Sequence, residues 1–237
     1  MNARRRTARI LAFALLAALA GPLIHGVLQL PAPGSADAPA HANVSANYVE
    51  RGAESGGAEN LVTGVLLNFR ALDTFGEVIV IFTAWLAAAA VAGTVSETGR
   101  RAIPVSPVVD YVIRALGPFI AAFALFVIVN GHVLPGGGFQ GGVVLGAMLI
   151  LLSLVLGPAP VAGAFSARHW AWLRATGVLV FAATAVIGLA LTGHLFGLPA
   201  EPVLRKSLMI VLELGIGIGG GAVLAGLFFA VSGVQRS

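Results

Sequence analysis

The chain holds 237 residues, of which 58% are hydrophobic and only 10% charged, with a mean hydropathy of +0.94 and a formal charge of +4. A soluble domain carries about 25% charged residues, so this chain lacks the polar surface to stay dissolved and reads as an integral membrane protein. The absence of cysteine excludes disulfides, thiolate metal sites and cysteine nucleophiles, and the basic pI reflects arginines scattered at helix ends, not the stripe of a nucleic-acid binder.

A membrane-crossing helix needs about 20 mostly apolar residues. The chain begins "MNARRRTARI" and continues apolar to Leu30, which predicts a first span over Ala8–Leu30. Positive charge followed by an apolar run also describes a secretory leader, but the run exceeds the usual leader core of about 7–15 residues, which favours a retained helix. The segment Pro31–Asn60 is rich in Ala, Pro, Gly and Ser and reads as a loose external loop. A second span follows over Thr74–Val95. The stretch "SETGRRAIPVSP", with two prolines, reads as a linker over residues 98–107. Four further spans are predicted over Val108–Val129, Phe139–Leu156, Ala175–Thr192 and Ser207–Val231. The expected architecture is therefore all-α, with six transmembrane helices in two modules, 1–97 and 108–237.

Positive charge near helix ends sets orientation. With the N-terminus cytoplasmic, inner segments hold ten of the 14 Lys and Arg residues and outer segments hold Arg51, Arg70, Arg205 and Lys206. Both termini are then expected to be cytoplasmic, with the turn around Pro135 facing outward.

That turn is the most distinctive local pattern: "NGHVLPGGGFQGGVV", Asn130 to Val144. A phosphate-binding loop needs a Lys followed by Ser or Thr after a strand, and a dinucleotide fingerprint needs a strand and a downstream acid. Neither context is present. The residues support a tight hairpin instead. Pro135 ends one helix, Gly136, Gly137 and Gly138 permit a sharp reversal, and Gly138, Gly142 and Gly146 fall at small-xxx-small spacing for close helix packing. Gly141 joins them. Irregular backbone at membrane depth must also be buried in protein or line a cavity, so an ion or water site in the turn stays open.

Ionisable groups within spans are functional candidates by default. "TFGE" places Thr74 and Glu77 as a capping box at a helix start. Alternatively, Asp73 and Glu77, four apart, share one helix face near the outer mouth, although Arg70 is placed to pair with Asp73. Glu213 lies inside the last span, where a lone carboxylate is costly unless paired, hydrated or protonated. Lys206 is two turns away, too far for a close pair, so its partner is expected on another helix or another chain. His132 at the outer end of the third span can shuttle protons or simply sit in interfacial water. Asp110 and Arg114, spaced i, i+4 at the inner end of the third span, are expected to pair with each other or to meet headgroups. "RHWAWLR" at Arg168–Arg174 reads as an interfacial anchor without chemistry. No metal-ligand cluster and no catalytic residue is indicated.

Two motifs carry a resemblance. "NGHVLPGGGFQGGVV" within a four-helix module resembles the MnhB-type subunit of the multisubunit Mrp-type Na+/H+ antiporters. Upstream, "LVTGVLLNFRALDTFGEVIVIFTAWLAAAAV" resembles the two-helix domain that ends the largest, antiporter-like subunit of such complexes, or stands as a small subunit of membrane-bound hydrogenases. This chain has "RALDT" where the family pattern has "RGFDT". The resemblance covers about Leu61–Val95 and Val108–Val231. It implies an accessory subunit of a multi-pass complex in the bacterial plasma membrane, exchanging Na+ for H+ without a cofactor. Its partners would be large subunits like those of respiratory complex I, other small membrane subunits and lipid. The MnhB-type subunit is implicated in the sodium path, which makes Glu213, Asp73, Glu77 and His132 the ion-path candidates. A small subunit of a redox-driven ion pump such as a hydrogenase is the alternative. A plain scaffold would tolerate neutral amides at Asp73, Glu77 and Glu213.

Overall fold

The computed structural model describes residues 3–32, 34–35, 38, 41, 44–92 and 106–231. The expected linker over 98–107 lies almost wholly outside them, as do Arg100, Arg101 and Arg236. The chain divides into two compact units, Met1–Glu50 and Arg51–Ser237. The first carries α1 (Ala3–Leu28) and the start of α2 (Val44–Gly56). The polar segment expected as a loose loop thus contains a helix of 13 residues. Its prolines, Pro31, Pro33 and Pro39, all precede Val44–Gly56, which leaves that stretch without a helix breaker of that kind despite Gly52 and Gly56.

The second unit holds everything else. α3 (Leu61–Gly64) runs into one π turn, Val65–Phe69, and then α4 (Ala71–Ala92). It continues with α5 (Pro107–Val129), α6 (Gly138–Leu156), the short α7 (Pro158–Ala162), α8 (Ala167–Thr192) and α9 (Pro202–Val231). No strand occurs among the described residues, and six helices are long and apolar enough to cross a membrane. α4, α8 and α9 start three, eight and five residues before the positions expected from hydropathy. Their first turns are polar or interfacial, and the caps explain the starts of α8 and α9. The Ser166 hydroxyl accepts the His169 N–H at 3.3 Å, and the Glu201 carboxylate accepts N–H groups from Val203 and Leu204.

α9 is the axis of the second unit. Of its membrane-length window 61% is buried, against 6% for α4 and 17% for α5. Its glycines make this possible. A Cβ on Gly142 would sit 2.9 Å from the Gly217 carbonyl oxygen, and one on Gly146 would sit 3.2 Å from that of Gly221. One on Gly217 would strike the Ile128 side chain of α5. Backbone therefore meets backbone along the α6–α9 seam, the packing that small-xxx-small spacing allows in a bilayer. Above the seam, Phe75 of α4, Phe181 of α8 and Phe196 of the α8–α9 loop form an aromatic cluster, with centroids 5.6–6.2 Å apart. Below it, Trp170, Ala222, Ala225 and Phe229 form a second core. The outward faces of α4 and α5 remain apolar and exposed, including Val80, Val91, Phe119 and Phe123. Such faces suit contact with lipid or with other apolar protein surfaces.

Because backbone cannot yield as a side chain can, Gly142→Leu is expected to destabilise the second unit by about 3 kcal/mol or more. Gly220→Ala, where an added Cβ meets nothing within 4 Å, should leave stability unchanged or slightly raised. Thermal unfolding of the two variants in mild detergent measures the contrast.

Candidate functional site

The glycine turn encloses a carboxylate. Asn130 ends α5, and the chain then reverses through Gly131–Gly137, with Gly136 at φ 143° and Gly137 at φ 130°. Only glycine adopts these values freely. The turn delivers the N-terminus of α6 to the side of α9. There the Glu213 carboxylate, 3% exposed, accepts the Gly138 N–H on Oε2. No residue of the turn caps α6 with its own side chain; Glu213 does so from another helix. The first N–H groups of a helix need partners, and the positive end of its dipole favours an anion. One contact thus serves both the helix end and the buried carboxylate.

The glycines leave the room it occupies. Cβ atoms on Gly131, Gly137 and Gly138 would lie 2.8, 3.0 and 3.0 Å from the Glu213 carboxylate oxygens. Three glycines of the motif therefore form a cradle around a side chain 75 residues or more along the chain.

The other carboxylate oxygen faces α3. The Thr63 hydroxyl lies 3.3 Å from Glu213 Oε1 and 2.7 Å from the Gly131 carbonyl oxygen, to which it donates. Asn60 fastens the turn to the same helix. Its Nδ2 donates to Gly131 O at 2.8 Å and Leu134 O at 2.9 Å, and its backbone N–H donates to His132 O at 3.1 Å. Its Oδ1 accepts the Val62 N–H at 3.1 Å and so caps α3. Beside Glu213 lies a cavity of about 20 Å³, bounded by Thr63, Leu66, Thr74, Gly137, Phe139 and Ile216 among others. That is room for one water or a small ion.

The Thr74 capping box does not form. α4 begins at Ala71, so Thr74 lies within the helix, fully buried. Its hydroxyl donates to Leu66 O at 2.8 Å, a carbonyl of the π turn. Asp73 and Glu77 point away from the cavity, because Thr74 and Val78 hold the inward face of α4. Asp73 pairs with Arg70 at 2.6 Å, both groups about half exposed, and a pair so wet contributes at most about 1 kcal/mol. Glu77 is exposed and makes no ion pair among the described residues. Glu213 likewise forms no ion pair with Lys206; its partners come from α3 and α6. Asp110 and Arg114 pair at 2.8 Å as expected. Among the described residues no group of His and carboxylates is placed to hold a metal.

His132 is 7% exposed. Its Nδ1–H donates to Val129 O at 3.1 Å, which leaves Nε2 as a buried acceptor without a partner. Burial first, then the Lys206 ammonium, holds its pKa below the ordinary 6.5, against smaller upward effects of Val129 O and Glu59.

Asn60 and Thr63 were not legible as site residues from sequence. One cue existed: an Asn immediately before an apolar run is an N-cap pattern, which places a helix start at Leu61.

The chain has six helices long and apolar enough to cross a membrane, and in its second unit those helices pack through glycines around a buried carboxylate, which defines a multi-pass membrane protein. The chain belongs to the family of domains related to the MnhB subunit of Na+/H+ antiporters, whose model matches residues 108–234, more than half of its length. Residues 8–105 match a second family, MbhE, the E subunit of MBH. A chain of the membrane-bound sulfane sulfur reductase, an archaeal respiratory membrane complex, is 28% identical with a TM-score of 0.70, covering 95% of this chain and 98% of that one. The Mrp complex of Dietzia sp. DQ12-45-1b contains a chain of the same fold, 24% identical with a TM-score of 0.63, of which this chain covers 26%. Among sequence relatives, an uncharacterised protein of Methanocaldococcus jannaschii is 25% identical over 71% of this chain and 74% of its own. A probable K(+)/H(+) antiporter A/B subunit of Rhizobium meliloti is 27% identical over 60% of this chain, which spans only 17% of that much longer protein.

The neutral His132 has a consequence for stability. Where the folded pKa lies below the unfolded one, the unfolded chain takes up a proton that the folded chain refuses, so stability falls as pH drops below about 6.5. The unfolding midpoint should therefore decrease between about pH 7.5 and pH 5.5, and His132→Gln should reduce that decrease. An identical decrease in the variant would assign the pH dependence to other groups.

Proposed function

We propose that this chain is an accessory membrane subunit of a multisubunit monovalent cation/proton antiporter, and that the Glu213 carboxyl is its exchange group. The observation that carries the reading is a carboxylate 3% exposed beside a water-sized cavity, with a single backbone N–H and a single hydroxyl as hydrogen-bond partners. A carboxylate so enclosed needs a positive charge close by, and no Lys or Arg supplies one among the described residues. A proton or a small cation fills that need. With a proton on Oε1, Glu213 donates to the Thr63 hydroxyl, whose own hydrogen stays on Gly131 O. With a cation in the cavity, Oε1 and the Thr63 oxygen are its ligands. Occupation by one then excludes the other, which is the local requirement of an exchanger. The relative named as a probable K(+)/H(+) antiporter component supports this reading.

In this reading the chain has two modules, 1–97 and 108–237, both termini are cytoplasmic, and the cradle opens toward the outer face. Large antiporter-type subunits carry the bulk proton flux, and this chain transports nothing alone. Glu77 and Asp73, outward on α4, face neighbouring subunits.

One observation favours a second reading. The likeness to the sulfane sulfur reductase chain spans nearly the whole of both chains. In a redox-driven pump the same Glu213 site would serve an ion path energised by other subunits. Co-purification of the tagged complex, with every subunit identified by mass spectrometry, separates the two: iron–sulfur subunits indicate the pump, their absence the antiporter.

Glu213→Gln preserves shape and removes the charge. The complex is expected to assemble and to lose Na+-dependent H+ exchange by about tenfold or more, the loss of one charged contact. Normal exchange at limiting Na+ in an assembled Glu213→Gln complex would refute the reading.

A further inference from the structure

A second ionisable group, of opposite charge, lies near the start of α8 and outside the cradle. Arg174 sits on α8, seven residues after Ala167, which is about 10 Å along the axis. Its guanidinium stacks over Trp85 of α4 at 4.6 Å and over Trp170 of α8 at 5.3 Å. Its Nε donates to Ala222 O of α9 at 3.3 Å. Gly226 makes the space: a Cβ there would lie 2.6 Å from Arg174 Nε and 2.8 Å from Trp85 Nε1. The seat is thus built from three helices.

The seat satisfies one nitrogen only. Nη1 and Nη2 donate no hydrogen bond among the described residues, and neither is sealed from the surface. Among the described residues no carboxylate neutralises the group; their ion pairs are Arg70–Asp73 and Arg114–Asp110. The inward side offers no anion either, because the cavity beside Arg174 is lined by Phe82, Phe139, Gly177, Ile216 and Val223. The two free nitrogens therefore point where an external anion must come.

The surroundings decide which anion. α8 has 26 residues, about 39 Å at 1.5 Å per residue, against a hydrocarbon core of about 30 Å. Its first turns thus stand in the headgroup region. Arg168, His169 and Trp172 are exposed there, and the aromatic and basic pattern is that of a membrane interface. Arg174 lies at the boundary of headgroups and chains, with apolar Leu86 exposed on α4 one residue beyond Trp85. A planar guanidinium with a free edge matches a phosphate bidentately, and basic seats between membrane helices take anionic headgroups.

We propose that Arg174, with Trp85 and Trp170 as its walls, is a binding site for the phosphate of an anionic phospholipid. The lipid joins α4 to α8 and α9 from outside and supplies the counter-charge that the described residues do not provide.

The test uses the assembled complex. Wild-type, Arg174→Gln and Arg174→Lys complexes are purified, and their bound phospholipid is measured by phosphorus analysis and native mass spectrometry. The wild type should retain a phospholipid that Arg174→Gln loses, with Arg174→Lys between them. Delipidated wild-type complex is then unfolded thermally with added phosphatidylglycerol, phosphatidylcholine or inorganic phosphate. Phosphatidylglycerol should raise the midpoint most, and inorganic phosphate should not raise it. Equal lipid content and equal phosphatidylglycerol response in wild type and Arg174→Gln would overturn the proposal. Equal rescue by inorganic phosphate would make the seat a free-anion site and overturn it too. A wild-type complex indifferent to every lipid would overturn it in favour of a neighbouring chain's carboxylate as the counter-charge. That arm needs no variant, so it decides the matter even if Arg174→Gln fails to assemble.

Discussion

A carboxylate buried at membrane depth has to be satisfied from within the protein, and much of the second unit is arranged around that need. Among the described residues Glu213 has no lysine or arginine paired with it. Its partners are a helix N-terminus and a hydroxyl, brought from two other helices. The α6 terminus reaches it only because the preceding turn runs through glycines at positive φ. The hydroxyl reaches it only because Asn60 ties α3 to that turn. Moving any of these elements leaves either an uncapped helix or an unpartnered carboxylate, and both are costly without water.

The same glycines serve packing and electrostatics at once. Gly142 and Gly146 bring the backbone of α6 against that of α9. That approach fixes the register in which Gly138 meets Glu213. A looser seam would leave the Gly138 N–H too far away to compensate the charge. Close packing is therefore the condition for the site, and the cavity beside Glu213 is small because the seam is tight. Arg174 presents the converse case at another depth. Its charge is spread over two indole faces, and only part of its hydrogen-bonding capacity is used within the chain. One ionisable group is enclosed by this polypeptide, and the other is left open to whatever surrounds it.

The spans and the hairpin were legible because their causes are local. Hydropathy marks a helix wherever it crosses lipid, and Pro135 followed by three glycines admits few conformations. The small-xxx-small spacing also pointed at the correct face of α6. The cradle was not legible, because it joins Gly131, Gly137 and Gly138 to a residue on α9, and nothing in the spacing of a turn names its tertiary partner. Thr74 and Glu77 show how a local pattern misleads. The same four residues read as a cap when a helix begins there and as interior when it begins at Ala71, and the π turn before them shifts the start. Arg174 was read only as part of an interfacial anchor, because Trp85, on which it stacks, lies 89 residues earlier on another helix. α2 was missed because the prolines before it, and glycines both within and beside it, dominated the composition of the whole segment.

Exchange of a proton for a cation at Glu213, proposed for the glycine cradle, would change the protonation of one carboxyl. Infrared difference spectroscopy of the purified complex, recorded as Na+ replaces choline at constant pH, tests the proposed exchange most directly. On adding Na+, the wild type should lose a protonated-carboxyl band and gain a carboxylate band, with both changes absent in Glu213→Gln. A wild-type spectrum without Na+-dependent carboxyl bands, or the same bands in Glu213→Gln, would contradict it.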